Sequence, residues 1–445
     1  MMTKPEQTAS PTLLFYSYRA VTALLAPFAY RKVAAKLAAH GISEARQRER
    51  LGHASKARPE MSASAPLIWF HGASVGESLA AITLINRLHS RLPAARFLLT
   101  SGTATSAEMA ENRLPDCAEH QFAPLDTVGA VNRFLDHWRP DAGIFVESEL
   151  WPVTLAAAKA RGTRLALVNA RLSAKSVAGW RKKLPTARFI MGLFDLLLTQ
   201  NQSVAKDLLS LGANPARVFP SGNLKAGAAA LPQKSDVLAE MRTALAGRPL
   251  WIASSTHRGE EETILDAHKT LLRDHPDLCL LLVPRHPERA EEIGAKITQA
   301  GLTYVKRSSA SPFPEQTQVY LADTLGELGT WYALSPIVFL GGSLLPIGGH
   351  NPFEVAQAGA AVLTGPGYSN FLETFPPMIA SGGATEVTNA LDLARAVDLW
   401  LTQPDQLQKA QGAARNYVAD QSGQLDVVVD RLISSLSLNS SERAS

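Results

Sequence analysis

Residues 66–78 read PLIWFHGASVGES, and the change of rhythm within this stretch decides the fold. Leu67 to Phe70 is an unbroken apolar run, too short for a helix and rich in strand-favouring residues. Ser74 and Glu77 then form an S-x-x-E capping box, so a helix starts where the strand stops. A buried strand that feeds directly into a helix is the repeating unit of a parallel sheet covered on both faces. Outward from here the unit recurs in RFLLTSGT (96–103), AGIFVESEL (142–150), RLALVNARL (164–172), FDLLLTQ (194–200) and RVFPSGN (217–223). After the polar stretch LPQKSDVLAE (231–240) it restarts in PLWIASST (249–256), LCLLLVPRHP (278–287), QVYLADT (318–324), PIVFLGGSL (336–344) and AVLTGPG (361–367). The pattern predicts two Rossmann-like, doubly wound α/β domains, 44–230 and 231–425, with an interdomain cleft. A helical segment over 1–43 precedes them. A helix end and tail follow over 426–445, where the composition of SSLSLNSSERAS (434–445) predicts fraying. In such folds ligands sit at the carboxyl ends of the strands, so the residues directly after each strand are the candidates for chemistry.

The chain has 445 residues, enough for two or three domains with cores of their own, and its 46% hydrophobic and 19% charged content excludes wholesale disorder. Cys117 and Cys279 belong to no C-x-x-C pair or Cys/His cluster, which points to a reducing compartment and away from structural zinc. The net charge is only +4, and no basic run is interleaved with aromatics, so nucleic acid is not an expected partner.

From Gln7 to Ser43 there is no Asp or Glu, while Arg19, Arg31, Lys32 and Lys36 stand among Leu13, Leu14, Phe15, Tyr16, Leu24, Leu25 and Phe28. Arg19 and Pro27 interrupt the roughly 20 apolar residues that a spanning helix needs. Basic residues follow the apolar stretch, the reverse of a signal peptide. The composition predicts a membrane-associating helix that dips into a bilayer face, or anchors there as a short span, with its basic residues at anionic headgroups. The plain alternative is a helix packed on the protein body.

At the first strand end, His71, Ser74 and Glu77 crowd together, and a carboxylate there can act as general base on a hydroxyl, although capping alone also explains Glu77. ESELWP places Glu147 and Glu149 two apart, which in an extended segment points both carboxylates to one side. Lys225 in SGNLK, and Arg285, His286 and Arg289 in PRHPER, are cations at strand ends, with ordinary surface charge as the alternative. In GGSLLPIGGHNPFEVAQAG (341–359), Gly341, Gly342, Gly348 and Gly349 permit close backbone approach, Asn351 caps, Pro352 opens a helix, and Glu354 closes an N-x-x-E box. Free amides and the helix dipole predict an anion site there, suited to a phosphate. Glu354 is placed to bond ribose hydroxyls or simply to cap. The glycine order fits neither G-x-G-x-x-G nor the P-loop. No D-x-D triplet occurs, so no metal clamp and no cofactor are expected, and a leaving phosphate would rely on Lys, Arg and helix N-termini.

Two such halves, with carboxylates in the first and a phosphate-type site in the second, describe a GT-B glycosyltransferase. Nine segments in order, WFHGASVGES, TSGTATSA, ESELWP, VNARLS, SGNLK, SSTHRGEE, PRHPER, DTLGELG and GGHNPFEVAQAG, closely resemble the 3-deoxy-D-manno-octulosonic acid (Kdo) transferases of lipopolysaccharide assembly. The resemblance covers about residues 11–420. It departs at Val153, at Ala226 and Gly227, and at Phe353 and Val355, which replace the residues usual in the family. It implies transfer of Kdo from CMP-Kdo to a lipid A precursor, with inversion and without metal, at the cytoplasmic face of the bacterial inner membrane. It further implies Glu77 as general base and Glu147 and Lys225 as transition-state stabilisers. CMP would be bound by Pro284, Arg285 and His286, by Gly326, Glu327 and Leu328, and by Asn351, Pro352, Phe353 and Glu354. Rival readings are a sugar-nucleotide epimerase of the same fold, against which the acid-free helix argues, and a non-catalytic membrane-bound nucleotide-binding scaffold, which would not need Glu77 or Lys225. An NAD oxidoreductase lacks its glycine fingerprint.

Overall fold

The computed structural model describes residues 9–61, 65–224, 231–309 and 316–439; Lys225 therefore lies outside the described residues. The chain divides into two units, Met1–Ala228 with Gln421–Ser445, and Ala229–Asp420.

The first unit is built on a seven-stranded sheet of β1 (Leu67–His71), β2 (Arg96–Ser101), β3 (Ala118–Phe122), β4 (Ala142–Val146), β5 (Arg164–Ala170), β6 (Leu196–Thr199) and β7 (Val218–Pro220). Their order is β3-β2-β1-β4-β5-β6-β7, with all neighbours parallel. All five residues of β1 are buried, because helices cover both faces of the sheet. Leu67 and Trp69 enter one core, where the Trp69 ring lies 4.9 Å from Phe134 and 5.0 Å from Phe145. Ile68 and Phe70 enter the other, which the C-terminal helix Pro404–Ser435 closes with Leu425, Val428, Val429 and Leu432. Leu436 and Leu438 beyond that helix are also buried, so the chain stays packed through the first half of the stretch whose composition suggests fraying.

The second unit repeats the plan with β8 (Leu250–Thr256), β9 (Cys279–Pro284), β10 (Tyr304–Lys306), β11 (Val319–Leu321), β12 (Ile337–Leu340), β13 (Ala361–Thr364) and β14 (Ala384–Glu386). The order is β10-β11-β9-β8-β12-β13-β14, again parallel throughout. Three of these fourteen strands, β3, β10 and β14, carry no apolar run in the sequence. Each is a sheet edge. An edge strand has a neighbour on one side only and tolerates short, polar composition such as AEHQF, YVK or ATE. ESELWP thus follows the fourth strand rather than the third, and SGN the seventh rather than the sixth.

The strand order reverses direction between β1 and β4 in the first sheet and between β8 and β12 in the second. These are the topological switch points, where loops leaving adjacent strands part and open a crevice.

The N-terminal helix spans Leu13–Ala38 and continues through Pro27. Its ends are fastened to the first unit. Phe15 packs edge-on against Phe189 at 5.1 Å, Thr12 Oγ1 hydrogen-bonds Thr186 Oγ1 at 2.7 Å, and Leu37 is buried beside Ala107 and Phe122. Between those points Tyr16, Val21, Leu24, Leu25 and Phe28 are exposed. Among the described residues, no helix is long and apolar enough to cross a membrane.

Candidate active site

Glu77 is the third residue of the helix Val75–Arg91, at the carboxyl end of β1. Ser74 Oγ accepts from the Glu77 amide at 3.3 Å and donates to its Oε1 at 3.0 Å, while the Ala73 amide donates to Oε2 at 2.7 Å. The capping box is therefore real, and it fixes a half-buried carboxylate at the switch point. Gly72 makes the tight turn possible, since a Cβ there would lie 2.8 Å from the Glu77 carbonyl carbon. Burial raises the Glu77 pKa, and the charges of Glu149 and then Glu147 raise it further, against the hydrogen bonds from Ala73 and Ser74.

Glu149 lies in a polar chain that starts inside the core. Trp69 Nε1 donates to Thr100 Oγ1 at 2.8 Å, Thr100 Oγ1 bonds His71 Nδ1 at 2.9 Å, and His71 Nε2 meets Glu149 Oε2 at 3.2 Å. A carboxylate only accepts, so His71 Nε2 is the donor to it. Trp151 Nε1 donates to the same Glu149 oxygen at 2.5 Å. Burial opposes Glu149 ionisation, but the bonds from His71 and Trp151 outweigh it and hold the pKa below the ordinary value. Glu147 behaves differently. Its backbone is left-handed, with φ of 62°, so the chain turns at the end of β4 and the two glutamates do not share a face. Glu149 faces His71 and Trp151, whereas Glu147 Oε1 accepts from Asn169 Nδ2 at 3.4 Å. The one-sided pair expected from their spacing required an extended segment. A pocket of about 90 Å³ adjoins His71, Ala73 and Phe145. Another of about 360 Å³ lies between Glu149 and the N-terminal helix, lined by Leu14, Phe15, Tyr18, Trp180 and Lys183, and Trp151 borders both.

In the second unit, Pro284 ends β9 beside Thr256, and Arg285 and His286 follow it, both exposed. His257, after β8, is 3.0 Å from His350, Nε2 to Nε2, and the rings stack at 13°, while the His286 ring stands edge-on to His257 at 5.6 Å. Burial lowers the His350 pKa to about 4, with further depression from His257, Arg285 and His286. Beside these rings the exposed Arg285 guanidinium supplies a positive charge suited to an anion.

The glycine loop after β12 is arranged otherwise than its sequence suggests. The fully buried Glu260 accepts from the amides of Gly342 at 2.7 Å, Ser343 at 2.9 Å, Leu344 at 2.9 Å and His257 at 2.9 Å. An internal carboxylate thus takes up the amides of Gly342, Ser343 and Leu344 at the start of this glycine-rich segment, ahead of the helix N-terminus at Asn351. Gly341 is needed because a Cβ would lie 2.8 Å from Ser255 O. Asn351 does cap its helix: Oδ1 accepts from the Phe353 amide at 3.1 Å, and Nδ2 donates to Glu354 Oε1 at 3.0 Å. The helix Pro352–Gln357 is short.

Comparison with known proteins completes the picture. A family model described as 3-Deoxy-D-manno-octulosonic-acid transferase (kdotransferase) matches residues 45–228. The 3-deoxy-D-manno-octulosonic acid transferase of Haemophilus influenzae is 34% identical over 367 residues, which cover 82% of this chain and 86% of that one. The Arabidopsis thaliana protein named "Probable 3-deoxy-D-manno-octulosonic acid transferase, mitochondrial" is 39% identical over 379 residues, 83% of each chain. The chain belongs to the 3-deoxy-D-manno-octulosonic acid transferase family. It is a glycosyltransferase of the GT-B fold. The same fold appears in the UDP-GlcNAc 2-epimerase of Neisseria meningitidis, solved with UDP-GlcNAc bound, at a TM-score of 0.56 and 14% identity over 83% of this chain and all of that one.

In this transferase the first unit brings Glu77, Glu149 and His71 together at the β1/β4 switch point, with Glu147 at the end of β4 held by Asn169. The second unit gathers Arg285 and His286 with His257 and His350, the latter directly before Asn351. Two residues expected at the CMP site have side chains engaged elsewhere. Glu327 is buried, with Arg307 and Lys234 each at 3.2 Å and Thr324 also donating to it; against burial, those partners lower its pKa to about 2. Phe353 is buried and stacked on Tyr417 at 6.2 Å. Gly326, next to Glu327, is exposed and has a left-handed backbone with φ of 79°. Asn169, Glu260, His257 and His350 were not singled out by sequence reasoning, and Glu149 was noted only as the neighbour of Glu147. For Asn169 and His257 the available signal was a polar residue within, or directly after, an apolar strand run.

Proposed function

We propose that this transferase moves Kdo from CMP-Kdo to a lipid A precursor, with inversion and without a metal ion, at the cytoplasmic face of the bacterial inner membrane. The observation that carries the reading is the Glu77 carboxylate, fixed by two donors at a switch point and made more basic by burial and by Glu149 and Glu147. Such a group is poised to take a proton. Glu77 removes the proton of an acceptor hydroxyl, whose oxygen bonds to the anomeric carbon of Kdo. The bond from that carbon to the phosphate oxygen breaks, and CMP leaves with the electron pair. Glu147 and Lys225 stabilise the transition state, Lys225 offsetting negative charge on the leaving phosphate or the Kdo carboxylate. Pro284, Arg285 and His286, the turn at Gly326, Glu327 and Leu328, and Asn351, Pro352, Phe353 and Glu354 bind CMP. The exposed guanidinium of Arg285, directly after β9, supports that assignment.

The exposed apolar side chains of the N-terminal helix, interspersed with Arg19, Arg31 and Lys32, support docking on an anionic leaflet. The 360 Å³ pocket between that helix and Glu149 is lined mainly by apolar and aromatic side chains, which suits part of a lipid acceptor. An epimerase reading has in its favour only the shared fold, which many activities use. The test is a transfer assay with purified protein, a CMP-Kdo generating system and a tetra-acylated lipid A precursor in EDTA, read by mass spectrometry. Addition of one or more Kdo masses is expected. CMP binding without product would refute the acceptor, and product only after metal is restored would refute the metal-free mechanism.

A further inference from the structure

Asn169 is a fully buried polar residue in the apolar strand β5, and its backbone is left-handed, with φ of 53°. Asn tolerates that region better than most residues, but away from glycine such a conformation persists only where the surroundings enforce it. Here the enforcement is visible. The register between β5 and β6 shifts between Leu167 and Ala170, so Asn169 is pushed out of the regular ladder. Its side-chain Oδ1 accepts from the Leu224 amide at 3.2 Å. A backbone amide can only donate, which fixes the orientation of the Asn169 amide and turns Nδ2 toward Glu147 Oε1, 3.4 Å away. Glu147 has its own left-handed backbone, and its amide donates to Val168 O at 2.9 Å. Two left-handed residues on neighbouring strands thus meet through one side chain, and that side chain also grips the residue directly before Lys225.

We propose that Asn169 is a positioning residue of the transfer reaction: its carboxamide holds the Glu147 carboxylate and the backbone at Leu224 in one fixed arrangement. The inference rests on the role proposed above for Glu147, and adds the element that fixes its carboxylate against the backbone at Leu224. Only a carboxamide fits, because one end must accept from an amide and the other must donate to a carboxylate. Asp keeps the accepting end but sets a second negative charge against Glu147. Gly keeps the left-handed backbone without strain and loses both bonds.

The experiment compares Asn169→Asp and Asn169→Gly with wild type in the full chain, measuring melting temperature, kcat and the KM for CMP-Kdo, and repeats Asn169→Asp in a Glu147→Gln background. Loss of about 10- to 100-fold in kcat is expected for both single variants, with KM changed far less. The Asn169→Asp loss should shrink as pH falls and the introduced carboxylate gains a donor proton, and should be much smaller once Glu147 carries no charge. Wild-type kcat in Asn169→Gly would show that the residue serves backbone conformation alone and would overturn the proposal. If that variant melts early, Asn169→Asp decides, and wild-type kcat there overturns it equally. A loss that is unchanged in the Glu147→Gln background also overturns it. Full activity of Glu147→Gln alone would instead refute the role given to Glu147.

Discussion

At the scale of single residues, the site depends on how neighbouring charges divide the work among carboxylates. Glu77 is pushed toward protonation by burial and by Glu149, whereas Glu149 is kept ionised by His71 and Trp151. A base works only when ionised, so kcat/KM should fall on the acid side, through a Glu77 pKa raised above the ordinary carboxylate value. Glu149→Gln removes one of the charges that raise it, and the acid limb of the profile should therefore move to lower pH. A limb that stays in place would show that Glu149 does not tune Glu77. Most candidate residues were legible because they follow apolar strand runs; Arg285 stands directly after β9, and Glu77 in the first turn of the helix that follows β1. What the one-dimensional pattern could not carry was direction. The turn that sends Glu147 to Asn169 and Glu149 to His71 depends on a left-handed φ, and nothing in ESELWP specifies one.

At the scale of elements, the interior strands were readable and three edges were not, because only strands buried on both faces require continuous apolar runs. The glycine loop after β12 shows a second limit. Its glycines were read as an opening for phosphate, yet they allow the loop to fold onto Glu260 and pack against β8. Which anion fills a ring of amides is decided by a residue about eighty positions away in the chain. Glu260→Gln sets an NH2 donor against two of the four amides, and should lower the melting temperature and weaken CMP binding by about tenfold or more, measured by calorimetry. Unchanged CMP affinity would mean that this loop does not shape the donor site.

At the scale of the whole molecule, the chain carries two doubly wound units of the same strand plan, each with its candidate residues at the carboxyl ends of its strands, and a helix whose apolar residues lie partly uncovered. Leu24, Leu25 and Phe28 are exposed, so replacing all three with Ser should leave the melting temperature close to wild type. Cosedimentation with anionic vesicles should fall sharply, since apolar insertion and basic attraction act together. Undiminished cosedimentation would move the membrane contact elsewhere. The fold and family follow from motifs spread over both units, while the proposed chemistry turns on one carboxylate, Glu77. The measurement that tests this most directly is single-turnover Kdo transfer by Glu77→Gln, alongside its CMP affinity and melting temperature. CMP affinity close to wild type, with a transfer rate reduced by about 10²- to 10⁴-fold, is the predicted result. Transfer at the wild-type rate would reduce Glu77 to a helix cap and contradict the account.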